Sequence, residues 1–380
     1  PTTNNQQPTT NNQQPTTNNQ QPTTNRDYIV DIAKGIGILL VVAVHSNIGF
    51  LFGLDMPFFF FISGFFAPTT SKISFIEGFK QKTLSLLKPT FLYVIFFGIL
   101  AYILCRIPYT DFNKKWKFFE WLSPHKVFFD AITYQPFQPL AGPLWFVPSL
   151  WLGFLVWFTF RSWIEKANKN LGNRIITFVV LIFLYFCCIS SGITLDDNRW
   201  IGLFDRTIYA FVFIALGYLI YPFRYKIFQR KWIGILVIFA IFAIWWKCKH
   251  FYHLKGIDVR SMAIPKKFLL NSFLIALSGT AFIFLLSYFL EKVDILKKIF
   301  CWLGQKSFHI MAIHSIGGWI FWWLDRYFQL TFVDKLTERT IGRLFFIFAS
   351  VFSVCTIMLF DISIKIIKNR LNYDIANKKS

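Results

Sequence analysis

The chain has little charge, and the charge is one-sided: 16% of its 380 residues are charged, with 19 acidic against 40 basic side chains. So small a charged share beside 55% hydrophobic residues argues against a disordered chain or an ordinary soluble domain. The basic excess is spread over many connectors, which argues against a nucleic-acid surface and fits determinants of membrane topology. Cysteine is scarce. Cys105, Cys187, Cys188, Cys248, Cys301 and Cys355 lie mostly in or beside apolar runs without metal-ligand spacing. They read as packing residues, not as a disulfide framework or zinc site. His250 and His253 lack a nearby carboxylate or Cys, so no metal is expected there either. Walker A, GxSxG, HExxH and paired CxxC motifs are all missing, which removes the commonest soluble-enzyme chemistries.

What the chain has in excess is Phe, 49 residues of it, in long apolar runs with short basic breaks. A helix crosses the hydrocarbon core with about 20 apolar residues. On that length the sequence predicts an all-α polytopic membrane protein with about ten spans: 32–52, 55–67, 84–105, 142–162, 175–192, 202–221, 232–247, 268–290, 307–324 and 341–366. The second is short, and its Ser63-Gly64 step suits close approach by another backbone. Pro143 and Pro148 interrupt the start of the fourth. Trp145, Trp163, Trp200, Trp232, Trp302 and Trp322 fall near the ends of runs, where aromatic residues anchor at the interface. Short basic connectors place the N-terminus in the cytoplasm, although the longer loops 106–141 and 248–267 on the other side are basic as well.

Residues 1–21 are three copies of Pro-Thr-Thr-Asn-Asn-Gln-Gln. So polar a tract cannot bury a core and is expected to be disordered over 1–25. The heptapeptide can be written CCA ACA ACC AAC AAC CAA CAA, the seven-base unit CCAACAA in tandem. Slippage of such a unit shifts the reading frame, so the repeat suggests a phase-variable gene. The expected organisation is completed by a membrane-embedded domain over 26–370 and a polar tail over 371–380.

Ionisable groups at membrane depth are costly and therefore functional candidates. They gather on three spans: Asp31, Lys34 and His45 on the first, Asp205 and Arg206 on the sixth, His309 and His314 on the ninth. Lys34 and His45 stand out. Eleven helical steps return to within about 20° and rise about 16 Å, so the two share one face three turns apart. Asp205 and Arg206 are expected to pair with each other or with a neighbour. His314 reads equally as a substrate contact or a helix–helix hydrogen bond, and Trp145 as a structural or pocket-lining aromatic.

The order of these segments resembles the acyltransferase-three family of integral membrane O-acyltransferases, most closely its fucose 4-O-acetylase-like branch. Asp31-Ile-Ala-Lys34 through His45 is similar to the family's basic-residue, ten-spacer, histidine signature, and Met56-Pro57 through Phe65 to its second-span signature. Gly142-Pro143-Leu144-Trp145-Phe146-Val147-Pro148 and Ser307-Phe308-His309 through His314 resemble its middle and late signatures. The resemblance implies that His45 is catalytic and Lys34 its basic partner, with acetyl-coenzyme A as donor. Lys34 stands where many members carry Arg, so it offers a point charge in place of a planar fork. Lys80, Lys82 and Lys88 approximate the family's basic pair for coenzyme A. Asp31, Ser63, Trp145 and His314 are the candidate substrate contacts.

Acetyl transfer to a sugar hydroxyl requires that the hydroxyl proton be removed, and a neutral imidazole is suited to that. The residues leave open whether His45 is a general base or carries the acetyl group covalently. The expected partners are membrane lipids and a bacterial envelope glycan or lipid-linked sugar, with the protein in the inner membrane. The rival reading is a transporter or flippase using the same buried groups as a path. That class favours inverted repeats, and the second half has no counterpart to the Lys34–His45 spacing.

Overall fold

A computed structural model describes residues 27–46, 55–67, 73–104, 142–189, 199–223, 264, 269–327 and 337–377. Among them every regular element is helical. This is the expected all-α architecture, because a chain in hydrocarbon must satisfy each backbone polar group within its own helix. Six helices are long and apolar enough to cross a membrane. Nine of the ten expected spans coincide with helices, and 232–247 lies outside the described residues, as do the N-terminal repeat, the loop 106–141, and His250 and His253.

The central rod is α1 (Tyr28–His45). Asp27 caps it by accepting from the Val30 amide, and Asp31 adds negative charge to its first turn. Ile32, Ile38, Val41 and Val42 are all fully buried, so α1 is enclosed through most of its circumference. Helix α2 (Asp55–Gly64) has only ten residues and rises about 15 Å, half the hydrocarbon thickness. Its Phe58, Phe59, Phe60 and Phe61 are buried.

The third span begins earlier than hydropathy suggests. Ser74 and Glu77 form a capping box that starts α3 (Phe75–Lys82). A π-helical turn, Thr83–Leu87, joins it to α4 (Lys88–Leu104). Lys80 and Lys82 therefore lie on helix and not in a break before the span, and Lys88 opens α4. The fourth span opens with a 3-10 turn, Gly142–Trp145, and continues as α5 (Phe146–Lys169). Pro148 falls in the first turn of α5, where its missing N–H is no loss.

The remaining helices are α6 (Leu171–Ile189), α7 (Arg199–Ile220), α8 (Leu269–Leu290), α9 (Asp294–Gln305), α10 (Ser307–Tyr327) and α11 (Glu338–Asn377). Trp200 and Trp163 are exposed as interfacial anchors would be, whereas Trp145 is buried and anchors nothing outside. Helix α11 has 40 residues and rises about 60 Å, well beyond one bilayer core.

Apolar lipid gives helices no hydrophobic reason to associate, so close packing over small residues does the work. The bundle uses glycine for this twice. Gly35 of α1 lies against the Phe300 carbonyl of α9, and Gly304 of α9 against the Asp31 carbonyl. Gly64 of α2 meets the Ile214 carbonyl of α7, and Gly217 the Phe61 carbonyl. The Ser63-Gly64 step thus does what its sequence suggests. A methyl group at any of the four would run into backbone, which cannot swing aside. Gly217→Val is expected to cost about 1–3 kcal/mol or more and to lower the melting midpoint in detergent. Gly142→Ala, whose added carbon meets nothing within 4 Å, is the control expected to melt like the parent.

Candidate active site

His45 is the last residue of α1, where the rod ends and its side chain is exposed. Ser46 closes the helix by donating its hydroxyl to the Val42 carbonyl at 2.7 Å. Against His45 stands His314, midway along α10, with ring centroids 5.1 Å apart and planes at 45°. His314 is 0% exposed. Its Nδ1 lies 2.8 Å from the Met311 carbonyl; a carbonyl only accepts, so chemistry assigns the hydrogen to Nδ1. The site is thus an accessible imidazole backed by a buried one, brought together from helices far apart in sequence.

Trp145 belongs to this neighbourhood through its turn. The Gly142–Trp145 segment packs against α10, the helix of His314. The Arg206 guanidinium lies 5.5 Å from the Trp145 ring centroid, and Arg206 and Asp205 are both almost wholly buried. The aromatic face gives a buried cation an electrostatic partner that costs no second charge. Trp145 is thus a buried ring beside Arg206, on a turn packed against the helix of His314.

The second part of the site lies three turns back. Lys34 is half-buried, with Nζ 4.1 Å from the centroid of Phe66. Lys82 of α3 is placed likewise, 3.8 Å from the centroid of Phe154, and close enough to Lys34 for the two charges to repel. Two cations near enough to repel, each over an aromatic face, make this end of α1 a candidate anion site. Lys80 and Lys88 are exposed instead.

Asp31 is also half-buried but sits at the α1–α9 crossing, about 21 Å along the helix from His45. The Ser63 hydroxyl donates to the Phe59 carbonyl at 2.7 Å, so its hydrogen is committed to its own helix. Away from these groups, the Tyr93 hydroxyl and His309 Nδ1 are hydrogen-bonded at 2.8 Å, and Lys306 pairs with Asp361 at 2.6 Å. His309 therefore belongs to a different cluster from His314. Among the described residues no three His, Cys, Asp or Glu side chains gather into a metal-binding group.

A family model described as an acyltransferase domain matches residues 27–361. The chain belongs to the acyltransferase-three family. No curated protein and no solved structure matches it. The match takes in every helix that lines the histidine pair and the lysine pair, so both are features of a membrane acyltransferase.

Anion binding at the lysine pair can be tested without turnover. Millimolar pyrophosphate is expected to raise the protein's melting midpoint in detergent by a few degrees through binding to the folded state. Lys82→Met, which removes one of the two charges, is expected to abolish that increment. An equal increment in both proteins means the anion binds elsewhere.

Proposed function

We propose that this membrane acyltransferase is an O-acetyltransferase of the fucose 4-O-acetylase-like branch, moving acetyl from acetyl-coenzyme A to a hydroxyl of a bacterial cell-envelope glycan. The observation that carries the reading is the spacing along α1. A reachable imidazole ends the helix, and Lys34, with Lys82 of α3 near enough to repel it, stands about 16 Å behind it on the same face. Coenzyme A has its phosphates at one end of a long arm and its thioester at the other. Lys34 and Lys82 hold the phosphates, and the arm runs along α1 to set the thioester beside His45.

At that point His45 takes the proton of the sugar hydroxyl as the oxygen attacks the thioester carbon, a step in which a positioned base contributes roughly 10²–10⁴-fold. Trp145 walls the acceptor side, where sugar rings stack well on an aromatic face. Lys34 lies nearer the N-terminus of α1, so a cytoplasmic N-terminus in the inner membrane puts the lysines where acetyl-coenzyme A is made. His45 is deeper, on the path to the acceptor. The seven-base reading of the N-terminal repeat adds that expression switches with copy number, which suits an enzyme that alters surface glycans.

The test uses purified full-length protein in nanodiscs, acetyl-coenzyme A labelled in the acetyl group, and envelope glycan from a strain lacking the gene. Wild type is expected to form an alkali-labile labelled ester, and His45→Ala to form it at least about 10²-fold more slowly. Equal rates in the two proteins would sink the reading. Movement of a lipid-linked sugar across the membrane without ester formation would assign the site to a flippase.

A further inference from the structure

We infer that His314 is the positioning residue of His45, an assignment that rests on the acyl-transfer reading above. The His314 ring is held from one side only. Nδ1 faces the carbonyls of Met311 at 2.8 Å and Ile310 at 3.3 Å, and it must donate to them. A neutral ring then carries a bare lone pair on Nε2. Among the described residues that buried nitrogen has no hydrogen-bond partner. A histidine kept only for packing leaves such an acceptor as pure cost, since an apolar residue of similar volume fills the space without it.

The group able to fill it is adjacent. Imidazole nitrogens stand about 1.1 Å out from the ring centroid, so on rings 5.1 Å apart two nitrogens turned to face each other would come within about 2.9 Å, hydrogen-bond distance. His45 is exposed at the end of α1 and has the room to turn that His314 lacks. When one His45 N–H donates to His314 Nε2, the tautomer of His45 is fixed and its other nitrogen faces the acceptor hydroxyl with a lone pair. A base held by a third group in this way is the general arrangement of an activated dyad or triad.

The transfer then balances. The His45 nitrogen takes the hydroxyl proton while the hydroxyl oxygen bonds the thioester carbon. The carbon–sulfur bond breaks, and the coenzyme A thiolate leaves with its electron pair. The imidazolium gives the same proton to the thiolate, so the products are an ester and a thiol and His45 returns neutral. His314 touches neither the proton nor the substrate. It accepts a hydrogen bond that strengthens as His45 becomes cationic.

Two substitutions of similar volume separate this role from packing. His314→Gln keeps an acceptor oxygen in the buried site, and His314→Leu fills it without one. Both are measured in nanodiscs for kcat and for KM of acetyl-coenzyme A, beside wild type and His45→Ala, with melting midpoints recorded. The expected result is that Leu lowers kcat more than about 10-fold at unchanged KM, while Gln stays at least about fivefold above Leu. Any other pattern overturns the assignment: Leu retaining a tenth or more of wild-type turnover, a loss expressed in KM, or Gln and Leu falling equally, whether through unfolding or slow turnover. His45→Ala turning over like wild type would overturn the catalytic role of His45 itself. That outcome is distinct from an inactive His45→Ala beside an active His314→Leu.

Discussion

Where α1 crosses α9 no side chain separates the two backbones, because Gly35 and Gly304 are the residues in contact. Hydrocarbon surroundings do not squeeze helices together, so this van der Waals contact between backbones, and its counterpart between α2 and α7, fix where α1 stands. The consequence reaches the chemistry directly. Lys34 and His45 ride on one rod whose rise per residue is constant, so the interval between the cation pair and the histidine pair is set once α1 is seated. A larger residue at the crossing shifts both ends of the site together.

Electrostatics gives that rod its direction. Near its N-terminus two ammonium groups repel one another and lie over aromatic faces, Phe66 and Phe154. At its C-terminus two imidazoles meet, one reachable and one sealed in. In the proposed reading the first arrangement takes the anionic end of the donor and the second moves the proton. A long donor with a phosphate end and a thioester end, as proposed, would meet them in that order.

The face shared by Lys34 and His45 is legible in the sequence because it depends only on helical period. The meeting of His45 with His314 is not, since it depends on how α1 packs beside α10, more than 250 residues later along the chain. The choice among Lys80, Lys82 and Lys88 shows the same divide. Residues two apart point to opposite sides of a helix, so only one of Lys80 and Lys82 can turn toward Lys34, and the rotation of α3 about its axis decides which. Hydropathy starts the third span at 84 and leaves Lys80 and Lys82 ahead of it; the capping box of Ser74 and Glu77, readable as S-x-x-E, marks the true start of the helix. Ser63 and Asp31 read well as polar groups in apolar helices, yet one is committed to its own backbone and the other sits at a helix crossing.

The direct test of the path along α1 is a structure of the full chain in lipid with coenzyme A bound. The thiol sulfur is expected within about 4 Å of the His45 ring, with a phosphate group between Lys34 and Lys82. A coenzyme A whose phosphates rest on Lys80 or Lys88 alone, or whose sulfur ends away from the two histidines, would contradict it.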